Sequence, residues 1–119
     1  MSNTDPAIGP NNSMYSLEYL IEKFDQAVFD LATGQGDARS RLRDAYDRFW
    51  IIRLDDYPEQ VREERRAIDN LMTRLSGREG YVIQDNLRKM KNTTASQICA
   101  LIVSVHAGLL RAQTQSRSL

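Results

Sequence analysis

The chain has 119 residues, 41% hydrophobic and 27% charged, with 16 basic side chains, 16 acidic ones and a single cysteine. A chain of this length buries roughly two-thirds of the surface its unfolded form exposes, which supports one core, and it is too apolar for wholesale disorder. Zero net charge gives no general pull toward nucleic acid or anionic membranes, and one cysteine excludes an internal disulfide or a cysteine-rich zinc site, as suits a reducing, cytoplasmic setting.

Residues 1–15 are polar, carry Pro6, Gly9 and Pro10, and lack the basic start and apolar stretch of a secretory signal, so they read as a disordered tail. Helical periodicity occupies residues 16–112. The first helix starts at Ser16 as N-cap, and Leu17, Leu20, Ile21, Phe24, Ala27, Val28 and Leu31 share one face. Gly34 and Gly36 end it by tolerating positive φ, and Asp37 caps the next helix after a tight loop, so the two form an antiparallel hairpin.

The second helix is predicted over residues 38–54, with Leu42, Ala45, Tyr46, Phe49 and Ile52 inward. At its end Ile51 points opposite the stripe and Trp50 and Leu54 flank it, leaving that end apolar nearly all round. Asp55, Asp56 and Pro58 announce a third helix over residues 58–75, with Val61, Ile68, Leu71, Met72 and Leu75 inward. Glu64 and Arg65 fall on the same inward face, so this start is expected to project beyond the core or to rest its stems on it.

Residues 76–80 form a glycine-containing turn, followed by a short fourth helix with Ile83, Leu87 and Met90 inward. Asn92, Thr93 and Thr94 cap a fifth helix over residues 95–112. Its core stripe is Ala95, Ile98, Cys99, Ile102, Val105, His106 and Leu109. The reverse side carries Ala100, Ser104, Ala107 and Gly108, small residues that admit a close helix contact. Its apolar stretch, residues 98–110, is shorter than the ~20 residues a membrane span needs. Residues 113–119 read as a frayed tail. The fold class is therefore all-α, a single-domain antiparallel bundle of about five helices, four long and one short.

Chemistry is sparse. His106 is the default general base near neutral pH, but it lies at the edge of an apolar stripe and reads as a packed, hydrogen-bonded side chain. Cys99 lies on the inward face of its helix, where a thiolate is costly. Glu22 and Asp25 on the first helix, with Asp44 and Asp47 on the second, could converge on Mg²⁺ as in helical nucleotide pyrophosphohydrolases, although such spacing is also that of any solvated face. Arg39, Arg43, Arg48, Arg62, Arg65 and Arg66 could serve a nucleic-acid regulator, but they are interleaved with as many acids, which suits intrahelical pairing better. Net charge is −4 over residues 1–36 and +4 over residues 78–119, which suits either an acidic first helix lying near the basic last third or an external anionic partner.

Trp50, Ile51, Leu54 and Tyr57 cluster at one helix end and form the candidate interaction surface, because aromatic and large aliphatic residues concentrate where partners bury surface. The run 32–34 (Ala-Thr-Gly), the run 36–42, then Asp56-Tyr57-Pro58-Glu59, Leu87-x-x-Met90 and Thr94-Ala95-Ser96 together resemble a group of small bacterial all-helical proteins of no assigned function. The resemblance spans residues 16–112, implies a bacterial, cytoplasmic protein and transfers no functional residue. The reading of the whole is a non-enzymatic protein–protein interaction or accessory module, without cofactor or catalytic residues, that binds a protein partner or self-associates as a homo-oligomer such as a dimer.

Overall fold

The computed structural model describes residues 15–117. Five helices lie along it: α1 Leu17–Thr33, α2 Ala38–Asp47, α3 Glu59–Met72, α4 Val82–Lys89 and α5 Asn92–Arg117, with a 3₁₀ turn at Leu54–Asp56. The all-α single domain expected from periodicity is what forms, with three long helices and two short ones. Most of the predicted N-terminal tail lies outside the described residues; Tyr15 stacks on Tyr19 at 4.7 Å.

Local signals set the helix ends. The Ser16 hydroxyl accepts from the Tyr19 N–H, and the Asp37 carboxylate accepts from the Ser40 N–H, each satisfying a donor that has no partner within its helix. The loop between α1 and α2 needs its glycines for two different reasons. Gly36 has φ +87°, as expected, but Gly34 does not: a Cβ there would lie 2.6 Å from the Asp30 carbonyl oxygen and 2.7 Å from Arg41 Cγ. Gly34 is thus a close-approach glycine.

α5 is the spine. It packs on α1, α2 and α3, and α4 closes over α2 and α3. Asp25 meets His106 while Leu31 stands beside Ser96 and Cys99, so α1 and α5 run antiparallel. α3 does the same on the other side: Gln60 donates to Gln115, Ser104 donates to Glu64, and Val61 fills the notch at Gly108. The core is continuous from Leu20, Phe24 and Ala27 through Leu42, Phe49 and Ile52 to Ile68, Met72, Ile98, Ile102 and Leu109. Each fully buried aliphatic or aromatic side chain here contributes about 1.5–3 kcal/mol relative to exposure.

Four helix bounds differ from expectation. α5 begins at Asn92, so Asn92, Thr93 and Thr94, expected to cap it, form its first turn. α2 stops at Asp47, and residues 48–52 tighten into three-residue turns in which Arg48 N–H donates to Ala45 O, Phe49 N–H to Tyr46 O and Ile52 N–H to Phe49 O. At three residues per turn Phe49 and Ile52 both face inward, at 0% and 2% exposure. α3 ends at Met72, leaving Leu75 exposed in the following loop. α5 continues through Arg117, so the segment expected to fray from residue 113 is helical as far as it is described.

Candidate functional site

A groove of about 630 Å³ runs between α2 and α4. Tyr46 and Leu87 form its buried floor, Val82 and Ile83 its half-buried wall, and Arg43, Asp44, Asp47 and Trp50 its rim. A second hollow of about 400 Å³ shares Arg43, Gln84 and Leu87 with it and extends toward Asp37, Arg39 and Arg88. Arg39 ends this run by donating to the Arg88 and Met90 carbonyls, where α4 leaves its last carbonyls unsatisfied, while pairing with Asp37. The groove therefore has a basic end at Arg39, Arg43 and Arg88 and an acidic, aromatic end at Asp44, Asp47 and Trp50.

Beneath the groove lies a polar network that sequence reasoning missed. Arg65 is 1% exposed: it neither projects beyond the core nor merely rests its stem on it, the two alternatives expected for the start of α3, but is buried as far as its guanidinium. Its guanidinium carbon lies 5.0 Å from the Phe49 ring centroid and 5.3 Å from that of Tyr57, so two π faces receive it. Its Nε donates to the Tyr57 hydroxyl at 2.9 Å, Nη1 to Asp69 at 2.5 Å and Nη2 to the Trp50 carbonyl at 3.5 Å. Tyr46 donates to the same Asp69 oxygen at 2.8 Å. Floor and rim of the groove are thus both tied to the Arg65–Asp69 pair.

Burial opposes the Arg65 charge, but Tyr57 and Asp69 outweigh it and hold the guanidinium above its ordinary pKa. Burial, reinforced by the charge of Asp69, also raises the Tyr46 phenol. The Tyr57 phenol is pushed up to about 12, chiefly by burial, against the pull of Arg65. Both phenols are neutral donors or acceptors at ordinary pH. The sequence did contain a signal for this network: a cation at the inward register position between Val61 and Ile68, with aromatic residues available to receive it.

α4 is held by a second missed pair. Asn86 is buried, accepts from the Leu75 N–H and donates to the Leu75 and Val82 carbonyls. Asp85, also buried, receives the Arg78 guanidinium and backbone N–H and pairs with Arg88. These bonds fix the loop at residues 73–81 and so the wall of the groove.

The proposed surface residues divide. Trp50 and Ile51 are 53% and 65% exposed and Leu54 is half-buried, but Tyr57 is 1% exposed and belongs to the core, where it meets Phe24 edge-on at 6.0 Å. The small residues of α5 divide too. Gly108 and Ser104 face α3, whereas Ala100 is exposed and Ala107 half-buried. His106 is half-buried, with Nε2 2.5 Å from Asp25 Oδ1. Cys99 is half-buried, and burial raises its thiol pKa.

Among the described residues no three His, Cys, Asp or Glu side chains gather as a cation would require. Glu22, Asp25, Asp44 and Asp47 accordingly do not gather in one cluster; Asp25 meets His106, and Asp44 lies beside Arg43. Of the arginines singled out in the sequence, Arg39 pairs with Asp37, Arg43 with Asp44, Arg48 with Asp30 and Arg65 with Asp69, while Arg62 donates to the Tyr57 and Asp55 carbonyls. Among the described residues, only the Arg65–Asp69 pair has the i,i+4 spacing anticipated for them. The chain matches no protein-family model, no curated protein and no solved structure.

Proposed function

We propose that this chain is a non-enzymatic interaction module that holds an amphipathic helical segment of a protein partner in the groove between α2 and α4. The observation that carries this is Trp50: an indole 53% exposed at the rim of an apolar-floored groove, on backbone fixed from below by Arg65. Covering the exposed half of an indole, roughly 100 Å², contributes about 2–3 kcal/mol, the scale of a binding hot spot. Because the anchor's backbone is already fixed, little ordering cost offsets that gain.

Charge sets the orientation of the guest. Its apolar face meets Tyr46, Ile83 and Leu87, an acidic residue meets the Arg39, Arg43 and Arg88 end, and a basic residue meets Asp44 and Asp47. Both Trp50 and Asp47 are exposed, so substitutions there spare the fold. Native mass spectrometry of the tagged full chain captured from its own cells is the test. A partner at fixed stoichiometry that is lost from both Trp50→Ala and Asp47→Lys supports the reading, and one retained by both variants refutes it.

A further inference from the structure

α5 carries two apolar seams on opposite sides. The first, Ala95, Ile98, Ile102, Val105, Leu109 and Ala112, is buried against the other helices. The second, Ser96, Ala100, Val103, Ala107, Leu110 and Thr114, keeps alternating spacings of four and three and lies half a turn away at 100° per residue. Val103 is 49% exposed and Leu110 39%, and Ala100 is exposed. No Asp, Glu, Lys or Arg occurs from Asn92 to Leu110; with 26 residues α5 is, by length and composition alone, long and apolar enough to cross a membrane, unlike the shorter stretch expected, and 33% of an apolar 18-residue window within it is buried. Covering the seam from Ser96 to Leu110 therefore desolvates no charge carried by α5 itself.

We propose that the outer seam of α5 docks a second copy of this chain, helix against helix and antiparallel, about a two-fold axis near residue 105. The order of side-chain sizes selects this occupant. A two-fold at that point sets Ala100 against Leu110 of the second copy, Val103 against its Ala107 and Ser96 against its Thr114, small facing large at the two central levels. A parallel pair would set Leu110 on Leu110 and leave Ala100 on Ala100, wedged apart at one level and hollow at the next.

Area makes the seam alone a weak contact, one that needs further surface from each copy. The seam spans about 27 Å along the helix at 1.5 Å per residue, and a helix about 10 Å wide covers roughly 500 Å² of accessible surface over that length. A stable interface needs about 800 Å² from each copy. Phe29 helps to supply the difference: it is 65% exposed and one turn beyond Asp25, the α1 residue that touches His106, which places it along the flank of Val103. The small Ala107 of the second copy leaves room for that ring. This contact is separate from the α2–α4 groove, so either can fail without the other.

Sedimentation velocity of the purified full chain between roughly 1 and 100 μM, a range that brackets micromolar association, gives the first readout. A concentration-dependent dimer is expected, and both Val103→Glu and Leu110→Glu should leave a helical monomer by circular dichroism. Orientation is read by disulfide trapping in a Cys99→Ala background. Mixed Val103→Cys and Ala107→Cys proteins should form the hetero-disulfide several-fold faster than either forms its own. Three results overturn the proposal: a wild-type monomer throughout, a dimer that survives both glutamates, or binding of the monomer to phosphatidylcholine vesicles through this seam.

Discussion

The Arg65 guanidinium donates to the Trp50 backbone carbonyl at 3.5 Å, so a side chain that is 1% exposed contacts the backbone of a tryptophan that is 53% exposed. The core and the working surface are thereby one construction. Arg65→Ala should cost roughly 3–5 kcal/mol, because it opens a cavity and strips donors from Tyr57, Asp69 and Trp50. Arg65→Met keeps the volume, and Asp69, 45% exposed, regains water, so it should cost distinctly less. Urea denaturation orders the two, and Trp50, the sole tryptophan, should change its emission in folded Arg65→Met.

The buried phenols give an alkaline signature. Tyr57 is neutral in the fold with a pKa of about 12, against 10.0 for its ordinary value, and Tyr46 is raised as well. The unfolded chain ionises first, so stability present below about pH 10 is lost as pH rises toward 12. Near-ultraviolet titration should show two of the five tyrosines lagging, and Tyr57→Phe should remove one of them.

Asp85 gives the acid counterpart. Hydrogen bonds from the Arg78 side chain and backbone, then the nearby charges of Arg78 and Arg88, hold its carboxyl well below the ordinary 3.8. A depressed acid stabilises the fold above its unfolded pKa, and that contribution is lost as pH falls below about 4. Asp85→Asn should lower Tm at pH 7 and make the remaining acid limb shallower. An unchanged acid limb would show that the Arg78 bonds do not hold the loop.

Gly108 opposes two effects whose sizes decide the outcome. In a helix interior Gly→Ala ordinarily stabilises by up to about 1 kcal/mol. Here the new Cβ would lie 2.4 Å from Val61 Cγ1, and overpacking of that kind costs about 1–3 kcal/mol. Gly108→Ala should therefore lower Tm, and Val61→Ala in the same chain should recover part of the loss.

Periodicity made the helices legible, because each buries a stripe of apolar residues at helical spacing. The start of α1 was legible to the residue, since the Ser16 cap is local chemistry. The end of α2 was not: Phe49 and Ile52, three apart, fit the inward face of a continuing α-helix almost as well as they fit the tighter turns that occur. Trp50 and Ile51 were read as surface from their angular position. Tyr57 could not be separated from them, because its burial depends on a tertiary partner, Arg65, whose charge had argued for exposure. The wall of the groove escaped for the same reason: nothing local marks Asp85 and Asn86 as buried, and their burial depends on Arg78 and Leu75 beside them.

The groove is tested most directly by photo-cross-linking in the protein's own cells, with a photoreactive phenylalanine analogue at position 50 and, as control, at the exposed Glu63 position of α3. An adduct to one protein from position 50 and none from position 63, mapping to an amphipathic helical segment of that protein, is the predicted result. Equal adducts from both positions, or none from position 50, would contradict the account.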